Sequence, residues 1–246
     1  HRHFRRQRQM CIRDRACPSC RPNFITNSDG NTLNTEEIFS DIITHYGKGV
    51  HTMMMSGYGD PFYSTGLFNF LQTIDSSDWP SLVNIHLHTN AMLWNERNWN
   101  IIKNSHRWIN SAEISIDASN KETYQKVRRG GKWDLLLKNL EFISTLGLRE
   151  ITFSFVVQKD NYTEMLDFYL LIKDIFKNSD INILFYYYKI LDWGVMSKEE
   201  YEEAAVWKES HKEYKLFTRE VTKFIKQHDK SVSHSLWEYE EKNSLL

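Results

Sequence analysis

With 246 residues, 41% of them hydrophobic and 14% aromatic, the chain can bury one sizeable α/β core or two small ones. A formal net charge of -1 supplies no global field for nucleic acid or a membrane surface. No apolar run approaches the ~20 residues that span a bilayer, and the polar, basic opening is not a secretory signal, so a cytoplasmic protein is the expectation.

Residues 1–15 read HRHFRRQRQMCIRDR, with six arginines and little apolar periodicity. A basic arm for RNA or phosphate is one reading. The other is that the segment is non-native: Met10 to Arg15 matches one reading frame of a common sequencing-library transposon end. We set residues 1–15 aside for fold reasoning on the second reading, under which Cys11 is not a native cysteine. The remaining cysteines are Cys17 and Cys20, and none follows them. A disulfide framework spreads its cysteines to staple loops; an odd, clustered set reads as a metal or cluster site.

From residue 16 onward, helical and strand patterns alternate. Thr35 to Tyr46 has helical spacing. His51 to Met55 is a short apolar strand running into S-G-Y-G-D-P. Phe62 to Ile74 is helical, and Leu82 to His88 alternates apolar and polar as a strand does. Asn95 to Ser105 reads as helix, Ala112 to Ile116 as a strand ending at Asp117, and a helix from about Lys121 breaks at Gly130-Gly131. Trp133 to Leu146 is helical, Glu150 to Val157 a buried strand, Tyr162 to Phe176 helical and Ile181 to Tyr187 the fifth strand. Beyond Ser197 the pattern is helical and charged. Such a βαβα series implies a parallel sheet with outer helices. We divide the chain into residues 1–15, a core over 16–195 and a helical C-terminal extension over 196–246.

In parallel α/β sheets ligands gather at the carboxyl ends of the strands. Five polar segments follow in order at such ends: C-P-S-C-R, S-G-Y-G-D-P-F, H-T-N-A, S-I-D-A-S and V-V-Q-K-D-N. Together they resemble the radical S-adenosylmethionine (SAM) superfamily, in particular its SPASM-associated branch. The likeness runs from about Ala16 to Tyr214 and is closest over S-I-D-A-S-N-K-E-T-Y-Q-K-V-R-R-G-G-K-W-D. It implies an incomplete parallel (β/α)6-type barrel whose first strand falls in the suspect N-terminal region.

The resemblance also implies a [4Fe–4S] cluster on a cysteine-x3-cysteine-x2-cysteine loop, and thiolates are the soft ligands such clusters take. Cys17 and Cys20 have the x2 spacing, but Arg13 stands where the first cysteine belongs and Cys11 gives an x5 spacing instead. By the same resemblance Ser56, Gly57, Gly59, Asp60 and Pro61 form the loop for the methionyl ammonium of SAM. Thr89 and Asn90 correspond to the family's T-N-G, with Ala91 in place of its glycine, and alanine is a poor residue for a positive φ. Ser115 and Arg128 would hold the SAM carboxylate, with Arg129 as the adjacent rival, and Asp117 would lie near the ribose. Gln158 and Asn161 would reach the adenosine, and Trp193 and Gly194 would shape the substrate side.

The implied activity is reductive SAM cleavage and hydrogen abstraction from a peptide, carbohydrate-related or other small-molecule substrate, with an external electron donor. With two family-spaced thiolates, the chain as given is expected to be a poor catalyst. The competing readings are a cluster-free fragment that binds SAM or a partner, and a zinc or nucleic-acid module. Residue by residue, the competing readings are ordinary thiols, local helix caps and a solvated face for both arginines.

Overall fold

The computed structural model describes residues 29–55, 60–192 and 194–236, with side chains from Glu37 onward. The N-terminal fifteen residues, Cys11, Cys17, Cys20, Ser56, Gly57, Gly59 and Trp193 lie outside the described residues.

Six parallel strands lie in chain order: β1 Thr52–Met55, β2 Asn84–Thr89, β3 Ile109–Ser115, β4 Glu150–Val157, β5 Asn182–Lys189 and β6 Val232–His234. The helices are α1 Asp29–Tyr46, α2 Thr65–Thr73, α3 Glu96–Ile101, α4 Lys121–Val127, α5 Trp133–Ser144, α6 Met165–Ile175, α7 Lys198–Ala204 and α8 Tyr214–Ile225. The sheet does not close, so the architecture is the incomplete parallel barrel expected from the pattern. Beyond residue 195 the chain forms α7 and α8 and then returns β6 to the edge of the sheet beside β5. Three residues are too few for alternation to show, which is why β6 was not anticipated.

Period-two alternation gives the sheet two unlike faces. Ile85, Leu87, Ala112, Ile114, Ile151, Phe153, Phe155, Phe185 and Tyr187 belong to the apolar core and are at most 1% exposed. Helices cover that face, with Phe168 of α6 against Phe155 and Phe224 of α8 against Tyr187. Burying each such ring contributes roughly 1.5–3 kcal/mol. The opposite face carries His86, His88, Ser111, Glu113, Ser115, Thr152 and Ser154. Along each strand one set of residues therefore builds the core, and the alternate set is left to meet a ligand.

Helix boundaries follow local chemistry. Asn95 and Asn120 cap α3 and α4 by accepting from the amides of Asn98 and Thr123, and Ser197 and Glu200 form a capping box on α7. Each such cap contributes about 1 kcal/mol. Helix α4 stops before Gly130, whose φ of 80° suits glycine. The long helix expected over Asn95 to Ser105 is instead α3 followed by a 3-10 turn over Lys103–Ser105. The helix expected from Tyr162 begins as a 3-10 turn, Tyr162–Glu164, before α6.

Candidate functional site at the carboxyl ends of the strands

Three loops converge where β1, β2 and β3 end. Asp60 follows β1 and is 1% exposed. Its Oδ1 accepts from the Phe62 amide, and its Oδ2 accepts from the Thr89 hydroxyl and, at 2.9 Å, from the Asn90 amide. Asp60 is thus a local cap and also the tie between the loops after β1 and β2. A buried carboxylate needs such donors, because burial without them costs several kcal/mol. Pro61, beside it, is buried as well.

At the end of β2, Asn90 is 1% exposed and its Oδ1 accepts from the Met92 amide at 2.9 Å. Ala91 adopts φ 60°, the left-handed conformation that a glycine would take without strain. The Ala91 amide donates to the Thr89 hydroxyl at 3.0 Å, and Asn139 of α5 donates to the carbonyls of Ala91 and Met92 at 2.8 and 3.0 Å. Ala91 thus holds a positive φ despite its Cβ.

Ser115 ends β3, and its hydroxyl lies 2.6 Å from that of Ser154 on β4. Asp117 stands beyond the strand with φ 65°. Its Oδ1 accepts from the Val156 amide at 2.8 Å, and its Oδ2 meets Nη2 of Arg128 at 2.7 Å. Arg128 is 3% exposed and Asp117 4% exposed, so this is a buried ion pair. Arg129 is exposed and lines an open cleft of about 430 Å³ with Lys126, Gln158, Asp160 and Met196. The backbone turn at the end of α4 therefore separates the two adjacent arginines, sending one guanidinium inward and the other to solvent.

After β4, Gln158 is buried at the edge of that cleft. Asn161 is fully buried and spends its amide internally: Oδ1 accepts from the Gln158 amide, and Nδ2 donates to the carbonyls of Asp117 and Val156. Asn161 is placed as a staple between the ends of β3 and β4 rather than toward an adenosine. Gly194, at φ 69°, accepts no such constraint; its amide donates to Asp192.

Sequence reasoning passed over Glu164, Asn139 and Glu113, and read His88 with His86 as part of a satisfied polar face. Glu164 accepts from the amide and hydroxyl of Ser119 and from the hydroxyl of Thr123. Asn139 holds the Ala91 turn. His88 and Glu113, cross-strand neighbours on the polar face, place Nε2 and Oε1 3.4 Å apart at 3% and 6% exposure. Their shared face with His86 and Ser115 was visible in the alternation, but their burial was not. Among the described residues no three His, Cys, Asp or Glu side chains converge as a metal site, and no helix is long and apolar enough to cross a membrane.

An open parallel sheet with a polar inner face and a buried aspartate–arginine pair at its carboxyl end defines an α/β protein of the partial-barrel class. The family model for the Radical SAM superfamily matches residues 10–172, and the chain belongs to that superfamily. The match begins ahead of Cys11 and spans all three cysteines. GTP 3′,8-cyclase of Alkaliphilus oremlandii (strain OhILAs) is 28% identical over 161 residues, covering 64% of this chain and 48% of the relative. GTP 3′,8-cyclase of Limosilactobacillus fermentum is 26% identical over 155 residues, covering 62% and 43%. The chain thus spans about half the length of the curated relatives it matches. Among solved structures, Streptococcus suis SuiB aligns with a TM-score of 0.56 at 15% identity, covering 92% of this chain and 47% of that one. SuiB bound to S-adenosylmethionine aligns with a TM-score of 0.55 at 15% identity, covering 92% and 48%. At that identity the likeness shows the fold alone.

Proposed function

We propose that the chain is the SAM-binding, radical-generating core of an enzyme that abstracts hydrogen from a peptide or carbohydrate-related substrate. The observation that carries this reading is the buried Asp117–Arg128 pair beside Ser115, at the carboxyl end of the sheet and inside the stretch of closest family resemblance. Membership of the superfamily supports the chemistry. The peptide reading draws on SuiB, one of whose structures holds the precursor peptide SuiA. Assignment to the SPASM branch rests on the sequence resemblance from Ala16 to Tyr214.

The residues present fit a zwitterionic, hydroxyl-rich ligand such as SAM. The polar face offers the Ser115 and Ser154 hydroxyls and the His88–Glu113 pair on strands, and the C-cap of α4 adds the buried Arg128 guanidinium. Arg128 would meet the ligand carboxylate, since a guanidinium fork suits that group. Asp117 fixes the fork from behind through Oδ2, while the Val156 amide and the Asn161 staple fix Asp117 itself. Asp60 orients Thr89 and Asn90, whose turn would border the same ligand. Cys17 and Cys20, with Cys11 or a cysteine in the place of Arg13, would hold a [4Fe–4S] cluster. When bound, cluster and SAM together supply a 5′-deoxyadenosyl radical once an external donor has given an electron. The protein's own part is binding, orientation and exclusion of water.

The test is anaerobic reconstitution of the chain and of Arg13→Cys, with iron and sulfide counts, SAM binding by equilibrium dialysis, and 5′-deoxyadenosine release under reductant. The expected result is SAM binding by both, with a fuller cluster and faster cleavage in Arg13→Cys. A chain that binds neither iron nor SAM in either form overturns the reading and leaves the cluster-free or zinc-binding alternative. Robust SAM cleavage by the unaltered chain would assign the third ligand to Cys11.

A further inference from the structure

Glu164 is a buried carboxylate that the proposed chemistry does not use. It sits in the 3-10 turn before α6, 8% exposed. It accepts three hydrogen bonds from the start of α4: the Ser119 amide at 2.8 Å, the Ser119 hydroxyl at 2.9 Å, and the Thr123 hydroxyl. Three donors from one turn to one carboxylate fix direction as well as distance, because charge-assisted hydrogen bonds are roughly twice as strong as neutral ones.

What α4 carries explains why its direction matters. The helix has seven residues, its C-cap is Arg128, and the Arg128 amide closes the last turn onto the Tyr124 carbonyl at 2.8 Å. From Ser119 to Arg128 is a lever of about 13 Å at the helical rise, so a tilt of about 10° at its start moves Arg128 by about 2 Å. That displacement would break the 2.7 Å contact with Asp117. The rest of α4 is held mainly by apolar packing: Tyr124 and Val127 are buried and Tyr124 packs on Trp133, with a long 3.6 Å contact of the Tyr124 hydroxyl on the Met92 sulfur and an exposed Lys126–Asp160 pair that contributes little. Apolar burial holds the helix to the core but is non-directional. The carboxylate supplies the direction.

We propose that Glu164 is a positioning residue that sets the Asp117–Arg128 pair through the Ser119–Thr123 turn. The loop after β4 then reaches the site twice. Asn161 holds the Asp117 carbonyl, and Glu164, three residues on, aims the helix that delivers Arg128. Both partners of the ion pair are thereby referred to one short segment, residues 161–164.

This inference rests on the reading of Arg128 as part of the SAM site, and the experiment separates the two. Glu164→Ala, Glu164→Gln and Val221→Ala are compared with the unaltered chain, the last as a buried apolar truncation on α8. Thermal stability, SAM dissociation constant on the reconstituted protein, and amide hydrogen exchange over residues 117–131 are measured. Glu164→Ala is expected to weaken SAM binding on the order of tenfold or more and to speed exchange over 117–131. Glu164→Gln, which keeps an acceptor oxygen, is expected between the two and remains informative if the alanine variant fails to fold. Val221→Ala is expected to lose stability with SAM binding and exchange over 117–131 unchanged. Equal SAM affinity in Glu164→Gln, Val221→Ala and the unaltered chain overturns the proposal. If the unaltered chain binds no SAM, the SAM reading fails by itself, and exchange over 117–131 still decides whether Glu164 holds this segment.

Discussion

The neighbouring strands β2 and β3 both end in a residue with left-handed backbone, Ala91 at φ 60° and Asp117 at φ 65°. That conformation costs a non-glycine residue about 1–2 kcal/mol, and the two ends offset it in different ways. At Ala91 the restraints come from other residues: the Thr89 hydroxyl, the Asn139 amide and, one residue back, the Asp60 carboxylate on the Asn90 amide. The residue itself contributes only a methyl group. At Asp117 the strained residue itself carries the charge: its carboxylate pairs with Arg128 and accepts from Val156. Strain at the β2 end shapes a backbone turn. Strain at the β3 end aims a charge, and a buried charge holds its place only while its partner is there.

Breaking the β3 end should therefore cost most. Arg128→Leu leaves the Asp117 carboxylate buried without its counter-charge, and we expect a loss of about 3–5 kcal/mol in denaturant unfolding. Because the pair acts as a unit, adding Asp117→Asn should cost far less than the sum of the single losses. Additive losses would show that the two residues stabilise the fold independently.

The β2 end should respond less. Asn139→Ala removes the donor from two carbonyls, Ala91 and Met92, for an expected loss of about 1–3 kcal/mol. Hydrogen exchange should rise over residues 89–93 and stay unchanged over 115–119. Equal loosening at both ends would mean that the Tyr124 hydroxyl on the Met92 sulfur, at 3.6 Å, couples the two turns.

Of the two strand ends, alkaline pH should act first on the β3 end. Burial, then the hydrogen bond it donates to Glu213, pushes the Tyr162 hydroxyl from 10.0 up to about 12. A raised folded value means the unfolded chain releases this proton first. The contribution is whole below pH 10.0 and is lost as pH rises through about 12. Tyr162 adjoins the Asn161 staple, so exchange over 115–119 should rise in that window before exchange over 89–93 does. Tyr162→Phe should remove the pH dependence, and a variant that keeps it would place the titration elsewhere.

How much of this was legible follows from the range of each signal. Alternation over Leu82–His88 exposed β2, the β-branched apolar run Glu150–Val157 exposed β4, and the order of polar segments pointed to the carboxyl ends of the strands. The pairing of Asp117 with Arg128 depends on a helix of definite length between them, which periodicity implied but residue type alone did not fix. Asn139, Asn161 and Glu164 lie in stretches whose composition reads as ordinary helix or turn, and only tertiary contact gives them partners. Strand β6 is too short to alternate. Ala91 argued against a left-handed turn through its own preference, and the surrounding donors overrode that preference.

The last term of the comparison is what the alanine methyl is worth. Ala91→Gly removes about 1–2 kcal/mol of left-handed strain. It also adds about 0.5–1 kcal/mol of unfolded-chain entropy to be lost on folding. The Ala91 methyl is fully buried, and deleting it forfeits about 0.8 kcal/mol of transfer free energy. These contributions nearly cancel, so Ala91→Gly should change stability by no more than about 0.5 kcal/mol. Asp117→Gly relieves the same strain yet should still destabilise, because it strips Arg128 of its partner. A clear gain from Ala91→Gly would mean that the methyl packs poorly and that Asn139 and Thr89 hold the turn against the residue's own preference. A clear loss would make the methyl a packed part of the core, and the alanine the residue this turn is built around.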